Sequence, residues 1–350
     1  MPLFDQPSFD GHESVMFCHD AASGLRAIIA VHSTRLGPAA GGCRMWAYAR
    51  EADALNDALR LSRGMTYKSA IAGLPLGGGK AVILGDARTA KSPALLRAFG
   101  RCVNRLGGAY YTAEDVGTNC DDMRQIAEET AFVAGLTDGA HASGDPSPVT
   151  ARGVYLGMEL AVARALGRPT LRDTTVAIQG LGNVGYRLAQ MLNEAGARLI
   201  VSDVNAAAVK RARADLGATA VDADAIYDQP VDVFAPCALG AVLSPETIPR
   251  LRAKVVAGGA NNQLADEACG AALAKRGILY APDYVINGGG IINVAGEILG
   301  TGTPDWVERK LQALMQTLAG ILDTARESGR PSHQVADRMV EERLATPRAA

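Results

Sequence analysis

The sequence predicts an α/β protein of two domains, the second built on a doubly wound, mostly parallel sheet. Three observations carry that expectation. At 350 residues the chain is longer than one simple core accommodates. From residue 174 onward, short β-branched runs alternate with segments of helical period, the pattern of parallel strands joined by helical crossovers. Between residues 138 and 148, Gly, Ser and Pro interrupt both periods and mark the boundary.

In the first half, residues 25–34 and 80–84 read as strands, and 51–62 and 93–106 as helices. Ser92 is placed to cap the second helix and Pro93 to occupy its first turn. In the second half, residues 174–179 form a strand that leads through glycines into a helix over 183–194. A strand over 198–202 and a helix over 206–216 follow, then strands over 231–234, 254–257 and 277–280. The turns after these strands, at 235–237, 258–262 and 281–282, are expected to face a ligand crevice. Thr303 and Pro304 open a long amphipathic helix carrying Trp306, Leu311, Leu314, Leu318 and Ile321. Gly329 and Pro331 stop it, and a last helix covers 332–344.

Composition excludes several classes. A net charge of −2 gives no electrostatic footprint for nucleic acid or an anionic membrane. The apolar runs are too short to span a bilayer, and the first residues lack a basic stretch followed by an apolar one, so the expectation is a cytoplasmic protein. The six cysteines (Cys18, Cys43, Cys102, Cys120, Cys237, Cys269) form no CxxC pair, and the five histidines form no HxxxH. That spacing fits neither a zinc site nor a disulfide framework, so no metal is expected.

Gly180, Gly182 and Gly185 form a GxGxxG directly after a strand and at the opening of a helix. In that context Gly180 permits a tight turn, Gly182 lets the backbone approach a pyrophosphate, and Gly185 lets helix and strand pack closely. The helix start offers unpaired N–H groups to phosphate charge. The next strand ends at Asp203, about 20 residues on, where a carboxylate takes ribose hydroxyls and repels a 2′-phosphate. The arrangement is that of a Rossmann-type dinucleotide site, with NAD favoured over NADP. Asn183, Val184, Cys237 and Ala238 lie at the same edge as further candidate cofactor contacts. A plain glycine-rich turn with a solvated aspartate is the competing reading, and strand, glycines, helix and acid in one order outweigh it.

A second glycine run, residues 77–79, precedes Lys80. It lacks the GxxxxGK[ST] spacing of a phosphate loop and leads into a strand, so it reads as backbone brought close to a small ligand with Lys80 at a strand start. Lys68 precedes the apolar Ala70 and Ile71, and Asp115 ends a run containing Tyr110 and Tyr111. By periodicity alone each lysine is an ordinary surface charge. The glycine crowding favours a role for Lys80, while Lys68 and Asp115 stay undecided on this ground.

The segments RLSRGMTYKSAIAGLPLGGGKAVI, YYTAEDVGT, GDPSPVT, VAIQGLGNVG, APCALG, AGGANNQLAD and APDYVINGGGIINV resemble, in order and over nearly the whole chain, the leucine, phenylalanine and valine dehydrogenase branch of the glutamate dehydrogenase superfamily. The resemblance implies a substrate and oligomerisation domain over 1–138, joined by the C-terminal helix at 331–350, and a Rossmann NAD-binding domain over 139–330. It implies NAD-dependent, reversible oxidative deamination of an apolar L-amino acid in a homo-oligomer. Lys80 becomes the catalytic amine in a deep cleft, where burial disfavours the charged form of an amine and suits it to act as a base. Asp115 becomes the proton shuttle, and Lys68 the partner of the substrate α-carboxylate, helped by backbone near Gly41 and Gly42. Thr150 is implied to hold the nicotinamide carboxamide and Asn261 the nicotinamide ribose region.

The same resemblance points to a side-chain pocket of Ala40, Ala113, Ile291 and Val294. Glutamate-specific relatives place a lysine and a serine where this chain has Ala40 and Val294, so a glutamate side chain would leave a carboxylate buried without a partner, at a cost of about 3 kcal/mol or more. Leucine enzymes carry a larger leucine at position 40, which inclines Ala40 towards aromatic substrates, whereas Ile291 and Val294 incline towards branched aliphatic ones. Leucine, valine and isoleucine are the favoured substrates, with phenylalanine or tryptophan as the alternative. Two other classes compete. A hydroxy-acid dehydrogenase needs a histidine beside an acid in the crevice, and none falls among the second-half turns. A non-catalytic NAD-binding protein has no use for Lys68, Lys80 and Asp115 together.

Overall fold

The apolar runs of the first half fold into a five-stranded sheet. Residues 3–346 are described by the computed structural model. The strands and helices are β1 (Ser14–Asp20), β2 (Leu25–Ser33), β3 (Ala39–Trp46), α1 (Glu51–Ile71), β4 (Gly77–Leu84), α2 (Pro93–Asn104), β5 (Tyr110–Glu114) and α3 (Cys120–Ala127). The sheet order is β1-β2-β4-β3-β5. β1 and β4 flank β2 antiparallel, while β3 runs parallel to both β4 and β5.

Side chains alternate between the two faces of a strand, and each face here has its own core. Ile29, Val31, Cys43, Met45, Ala81 and Ile83 pack with Phe99 of α2 and Met123 of α3. Ile28, Ala30 and Val82 face the other way, onto Ala54, Ala58 and Leu59 of α1. Ser92 caps α2 as expected, accepting from the Leu95 N–H, with Pro93 in the first turn.

α1 runs nine residues past the expected end at Ser62, with Gly64 inside it. Glycine costs a helix about 1 kcal/mol. Thr66, Tyr67, Ser69 and Ala70 nonetheless continue the buried face, and tertiary packing outweighs the local penalty. β4 begins at Gly77, so Lys80 sits in mid-strand and not at its start.

The second sheet is wholly parallel, in the order β11-β10-β9-β6-β7-β8. The chain enters through α4 (Ser147–Leu166), then β6 (Thr175–Gln179), α5 (Asn183–Glu194), β7 (Arg198–Ser202), α6 (Ala206–Leu216), β8 (Thr219–Ala220), β9 (Val233–Pro236), β10 (Val255–Val256), α7 (Glu267–Lys275) and β11 (Leu279–Tyr280). Helices α8 (Asp283–Ile286), α9 (Gly289–Ile298), α10 (Pro304–Ser328) and α11 (Ser332–Ala345) complete it. The spans expected for α5, β7 and α6 coincide with the observed ones. β9 and the middle of β6, Val176 to Ile178, are apolar and buried on both faces, as a parallel sheet requires. No helix of the described residues is long and apolar enough to cross a membrane.

Two compact units result: Met1–Pro146, Ile291–Lys310 and Val340–Ala350 in one, Ser147–Gly290 and Leu311–Met339 in the other. The passage at 146/147 falls eight residues after the expected 138/139. Residues 291–310 group with the first unit, and its C-terminal segment starts at Val340 instead of 331. These later crossings lie inside the continuous helices α9, α10 and α11, where no break in composition marks them. Residues 347–350 of the expected returning segment lie outside the described residues.

A histidine pair lies buried in the first unit. His32 Nδ1 is 2.8 Å from Thr66 Oγ1, and His12 Nε2 is 3.0 Å from both the Leu59 carbonyl and Ser62 Oγ. Burial, reinforced by His12, pushes His32 down to about 4, and burial also lowers His12. Folded-state values below the unfolded ones mean that the unfolded chain binds more protons, so this contribution to stability is complete above about pH 6.5 and is lost as pH falls towards 4. Between pH 7 and 5 the parent is expected to lose about 1–2 kcal/mol from this source. Denaturant midpoints at the two pH values check it. His32→Gln should lose less than the parent, and an unchanged loss would refute the assignment.

Candidate active site

In the first unit the strand register gathers the expected substrate residues on one side of the sheet. Ala40 pairs with Gly78 and Tyr111, Gly42 with Ala113, and Arg44 with Val82. By the two-residue period, Ala40, Gly42 and Arg44 of β3, Gly78 and Lys80 of β4, and Ala113 of β5 share the face that α1 covers. The alternation carries Asp115, just past β5, onto that face as well.

The glycine run before Lys80 serves this packing. A Cβ on Gly78 would lie 2.0 Å from the Thr66 backbone N of α1, and one on Gly79 2.6 Å from the Tyr110 ring. The close approach is thus to the protein's own helix and ring, which corrects the expectation of backbone approaching a ligand. Gly41 and Gly42 pair with Thr112 and Ala113 on β5 but have no register partner on β4.

Lys80 is 5% exposed. Its Nζ lies 2.9 Å from Asp115 Oδ2. Arg44 Nε donates to that same oxygen at 3.0 Å, while its Nη1 donates to Asp57 Oδ2 at 2.8 Å. The Tyr48 hydroxyl donates to Asp57 Oδ2 at 2.6 Å. Burial alone would raise the Asp115 carboxyl, but the Lys80 ammonium and the Arg44 guanidinium outweigh it and bring it down to about 2. Thr118 ties the turn beyond β5: its Oγ1 accepts from the Asp115 N–H at 2.9 Å and donates to the Cys43 carbonyl at 2.8 Å.

Lys68 lies in the last turn of α1, two residues after the Thr66 that sits on Gly78. Ile291 and Val294 are three apart on α9, hence on one side of it, both buried and both in the first unit with Ala40 and Ala113. Glu297 of the same helix accepts from the N–H groups of Gly135 and Ser143 at 2.7 and 3.1 Å.

The second unit holds the GxGxxG turn. Gly180 has φ +101°, a conformation closed to most L-residues, and a Cβ there would meet Ala238 at 2.7 Å. A Cβ on Gly185 would lie 2.1 Å from the Gly180 carbonyl oxygen, while at Gly182 nothing lies within 4 Å. Gly182 is the N-cap of α5 and provides no side-chain cap, which leaves first-turn N–H groups for a ligand. Asp203 Oδ2 accepts from the Leu181 N–H at 2.5 Å and Oδ1 from the Asn205 N–H at 2.7 Å, holding the glycine turn against the end of β7. The Cys237 N–H donates to the Gln179 carbonyl at 2.7 Å, and its Sγ lies 3.4 Å from the Gly259 N. Val184 lies beside Gly259. Thr150, in the first turn of α4, stands against Gly289.

These features fit a dinucleotide: a left-handed glycine, an open position at Gly182, an uncapped helix start and a carboxylate at the end of the next strand. Asn261 Oδ1 accepts from Asn287 Nδ2 at 2.9 Å. The same nitrogen lies 3.2 Å from the Gly259 carbonyl and 3.4 Å from that of Ala260. Asn287 thus orients Asn261, and sequence reasoning missed it, as it missed Arg44, Asp57 and Tyr48. Arg44 left one trace, a charged side chain within an otherwise apolar strand.

Residues 12–132 match the family described as Glu/Leu/Phe/Val dehydrogenase, dimerisation domain, and residues 143–218 and 207–347 match Glutamate/Leucine/Phenylalanine/Valine dehydrogenase. The chain belongs to this family. It is 51% identical over 344 residues to a leucine dehydrogenase of Bacillus subtilis (strain 168), covering 98% of this chain and 94% of that one. It is 47% identical over 350 residues to a phenylalanine dehydrogenase of Bacillus thermotolerans, covering 98% and 90%. The crystal structure of L-tryptophan dehydrogenase from Nostoc punctiforme superimposes with a TM-score of 0.79 at 44% identity, covering 95% of this chain and 96% of that one. As a member of this family the chain is an amino-acid dehydrogenase, an oxidoreductase that uses a nicotinamide cofactor in reversible oxidative deamination.

Proposed function

We propose that this enzyme deaminates branched-chain L-amino acids, leucine, valine and isoleucine, to their 2-oxo acids with NAD, and that it works as a homo-oligomer in the cytoplasm. The observation that carries the chemistry is the buried Lys80–Asp115 pair at 2.9 Å on the sheet face that also bears Ala40 and Ala113. The apolar residues Ala40, Ala113, Ile291 and Val294 favour an apolar side chain and offer a second carboxylate no cation. Full-length identity with a leucine dehydrogenase supports the aliphatic preference. The family model's dimerisation domain supports self-association.

The substrate α-carboxylate is assigned to the Lys68 ammonium and to backbone at Gly41 and Gly42, where the β3–β4 ladder is interrupted. Gly180, Gly182, Asn183, Val184, Gly185, Cys237 and Ala238 would hold the dinucleotide phosphates and their surroundings, Asp203 the adenosine ribose, and Thr150 and Asn261 the nicotinamide end. Asp203 gives a 2′-phosphate an adjacent negative charge, hence NAD over NADP. The bound nicotinamide supplies a two-electron acceptor for the hydride on the substrate Cα. Loss of that hydride from the amino acid in its neutral-amine form leaves an iminium. Neutral Lys80 takes a proton from a water, whose hydroxide adds to the iminium carbon to give a carbinolamine. Asp115 passes the Lys80 proton to the departing nitrogen, the C–N bond breaks as the carbinolamine hydroxyl gives its proton to the now neutral Lys80, and ammonia leaves the 2-oxo acid behind. Burial removes bulk water from the pair and fixes its geometry, which is where positioned acid–base groups gain their effect.

Initial rates for leucine, valine, isoleucine, phenylalanine, tryptophan and glutamate, each with NAD and NADP, test the proposal. Leucine with NAD is expected to give the highest kcat/KM, valine and isoleucine to follow within about tenfold, and glutamate to be inactive. A phenylalanine or tryptophan optimum would transfer the assignment to an aromatic substrate, the reading that the small Ala40 favours. No NADH production with any of the six would overturn it.

A further inference from the structure

We propose that Arg44 is a positioning residue for proton transfer: anchored by Asp57 and Tyr48, its guanidinium fixes the Asp115 carboxylate and offsets that carboxylate's hold on the Lys80 proton. The inference rests on the reading of Lys80 and Asp115 as the proton-transfer pair.

Two cations share one oxygen. Lys80 Nζ and Arg44 Nε lie 2.9 and 3.0 Å from Asp115 Oδ2. A carboxylate so close to an amine favours the ammonium form, which cannot serve as a base. A second cation on the same oxygen weakens that pull and repels the ammonium directly. Arginine is suited to this task because it does not lose its proton in proteins, so Asp115 keeps a counter-charge while Lys80 is neutral.

The guanidinium is also held from behind. Its Nη1 reaches Asp57 on α1 at 2.8 Å, and Tyr48 donates to that same Asp57 oxygen at 2.6 Å. One rigid fork thereby spans two carboxylates 58 positions apart, on α1 and beyond β5 (115 − 57). A lysine has a single nitrogen and cannot reproduce both contacts in that geometry.

Other charged or titratable groups near the pair include Lys68 on α1, Cys43 on β3, the Lys91–Asp122 pair that acts on Cys43, and Tyr110 and Glu114 on β5. Burial raises the thiol, the phenol and the Glu114 carboxyl, and Arg44 is the cation bonded to the same Asp115 oxygen as Lys80. Arg44 itself is partly open, with 21% of its side chain exposed, and its removal does not empty the apolar core.

The test is the pH dependence of kcat/KM for deamination at saturating NAD, using the amino acid the enzyme turns over fastest. In Arg44→Gln the acidic limb is expected to move about one unit to higher pH, a roughly tenfold loss below the limb that narrows above it. Arg44→Lys should restore most of the limb position but not the full kcat, because the charge returns without the second contact. NADH affinity of both variants should stay near the parent's. Should Arg44→Gln fail to fold, the limb and kcat of Arg44→Lys carry the same decision. An equal loss at every pH with the limb in place would mean a merely structural role and overturn the inference. Lys80→Ala separates the two levels. Turnover by that variant removes the underlying reading, whereas an inactive Lys80→Ala beside an unshifted Arg44→Gln removes only the role of Arg44.

Discussion

In Lys80→Ala, deamination kcat is expected to fall by at least about 1,000-fold while NADH affinity stays within about twofold. The size of the effect follows from what remains. Asp115 is held by Arg44 alone, with no group left on that oxygen that can take a proton from water. Its carboxyl should rise from its present value of about 2, because the ammonium that offset burial is gone. The glycine turn and Asp203 belong to the second unit, 100 residues or more along the chain from Lys80 (180 − 80), and their own hydrogen bonds do not involve it. Stopped-flow absorbance of the first turnover and NADH fluorescence titration separate the two effects. Lys80→Met, which keeps the stem length, guards against a loss caused only by the cavity. Turnover near the parent's in both variants would sink the mechanism.

The second unit was more legible in the sequence than the first, and the reason is physical. α5, β7 and α6 lie close to where the sequence places them because each period is bounded by its own punctuation: Gly182 before α5, Gly196 after it, Asn205 capping α6 and Gly217 in the left-handed conformation ending it. β3 gave no such signal. Its residues AAGGCRMW mix glycine, charge and small side chains, because one face receives Tyr110 and the other bears the residues we assign to the substrate. β1 and α4 were missed as well. Lys80 and Asp115 were each visible as candidates, yet nothing local joined them. The join is made by register, which places β4, β3 and β5 side by side and lets residues 35 apart meet at 2.9 Å (115 − 80). The Arg44–Asp57–Tyr48 support was hidden for the same reason, since a salt bridge between β3 and α1 has no sequence period.

Two neighbouring glycines of the second unit should respond to alanine in opposite ways. At Gly182 a methyl group meets nothing within 4 Å, and φ is −67°, which any residue adopts. Gly182→Ala is therefore expected to melt within a few degrees of the parent. Its methyl group nevertheless projects at the uncapped start of α5, where the pyrophosphate is assigned, so NADH affinity should drop by about tenfold or more. Gly185 is the converse. A methyl group there would lie 2.1 Å from the Gly180 carbonyl oxygen, a backbone atom that cannot swing aside as a flexible side chain can. The strand-to-helix turn must open to admit it, at a cost of about 1–3 kcal/mol. Gly185→Ala should melt several degrees lower, and bind NADH weakly because the turn has moved. The pair distinguishes a cofactor site from a merely tight turn, since tight packing alone predicts an effect at Gly185 and none at Gly182. Calorimetry and NADH fluorescence on the two variants decide the matter, and a Gly182→Ala that binds NADH as tightly as the parent would remove the pyrophosphate from this helix.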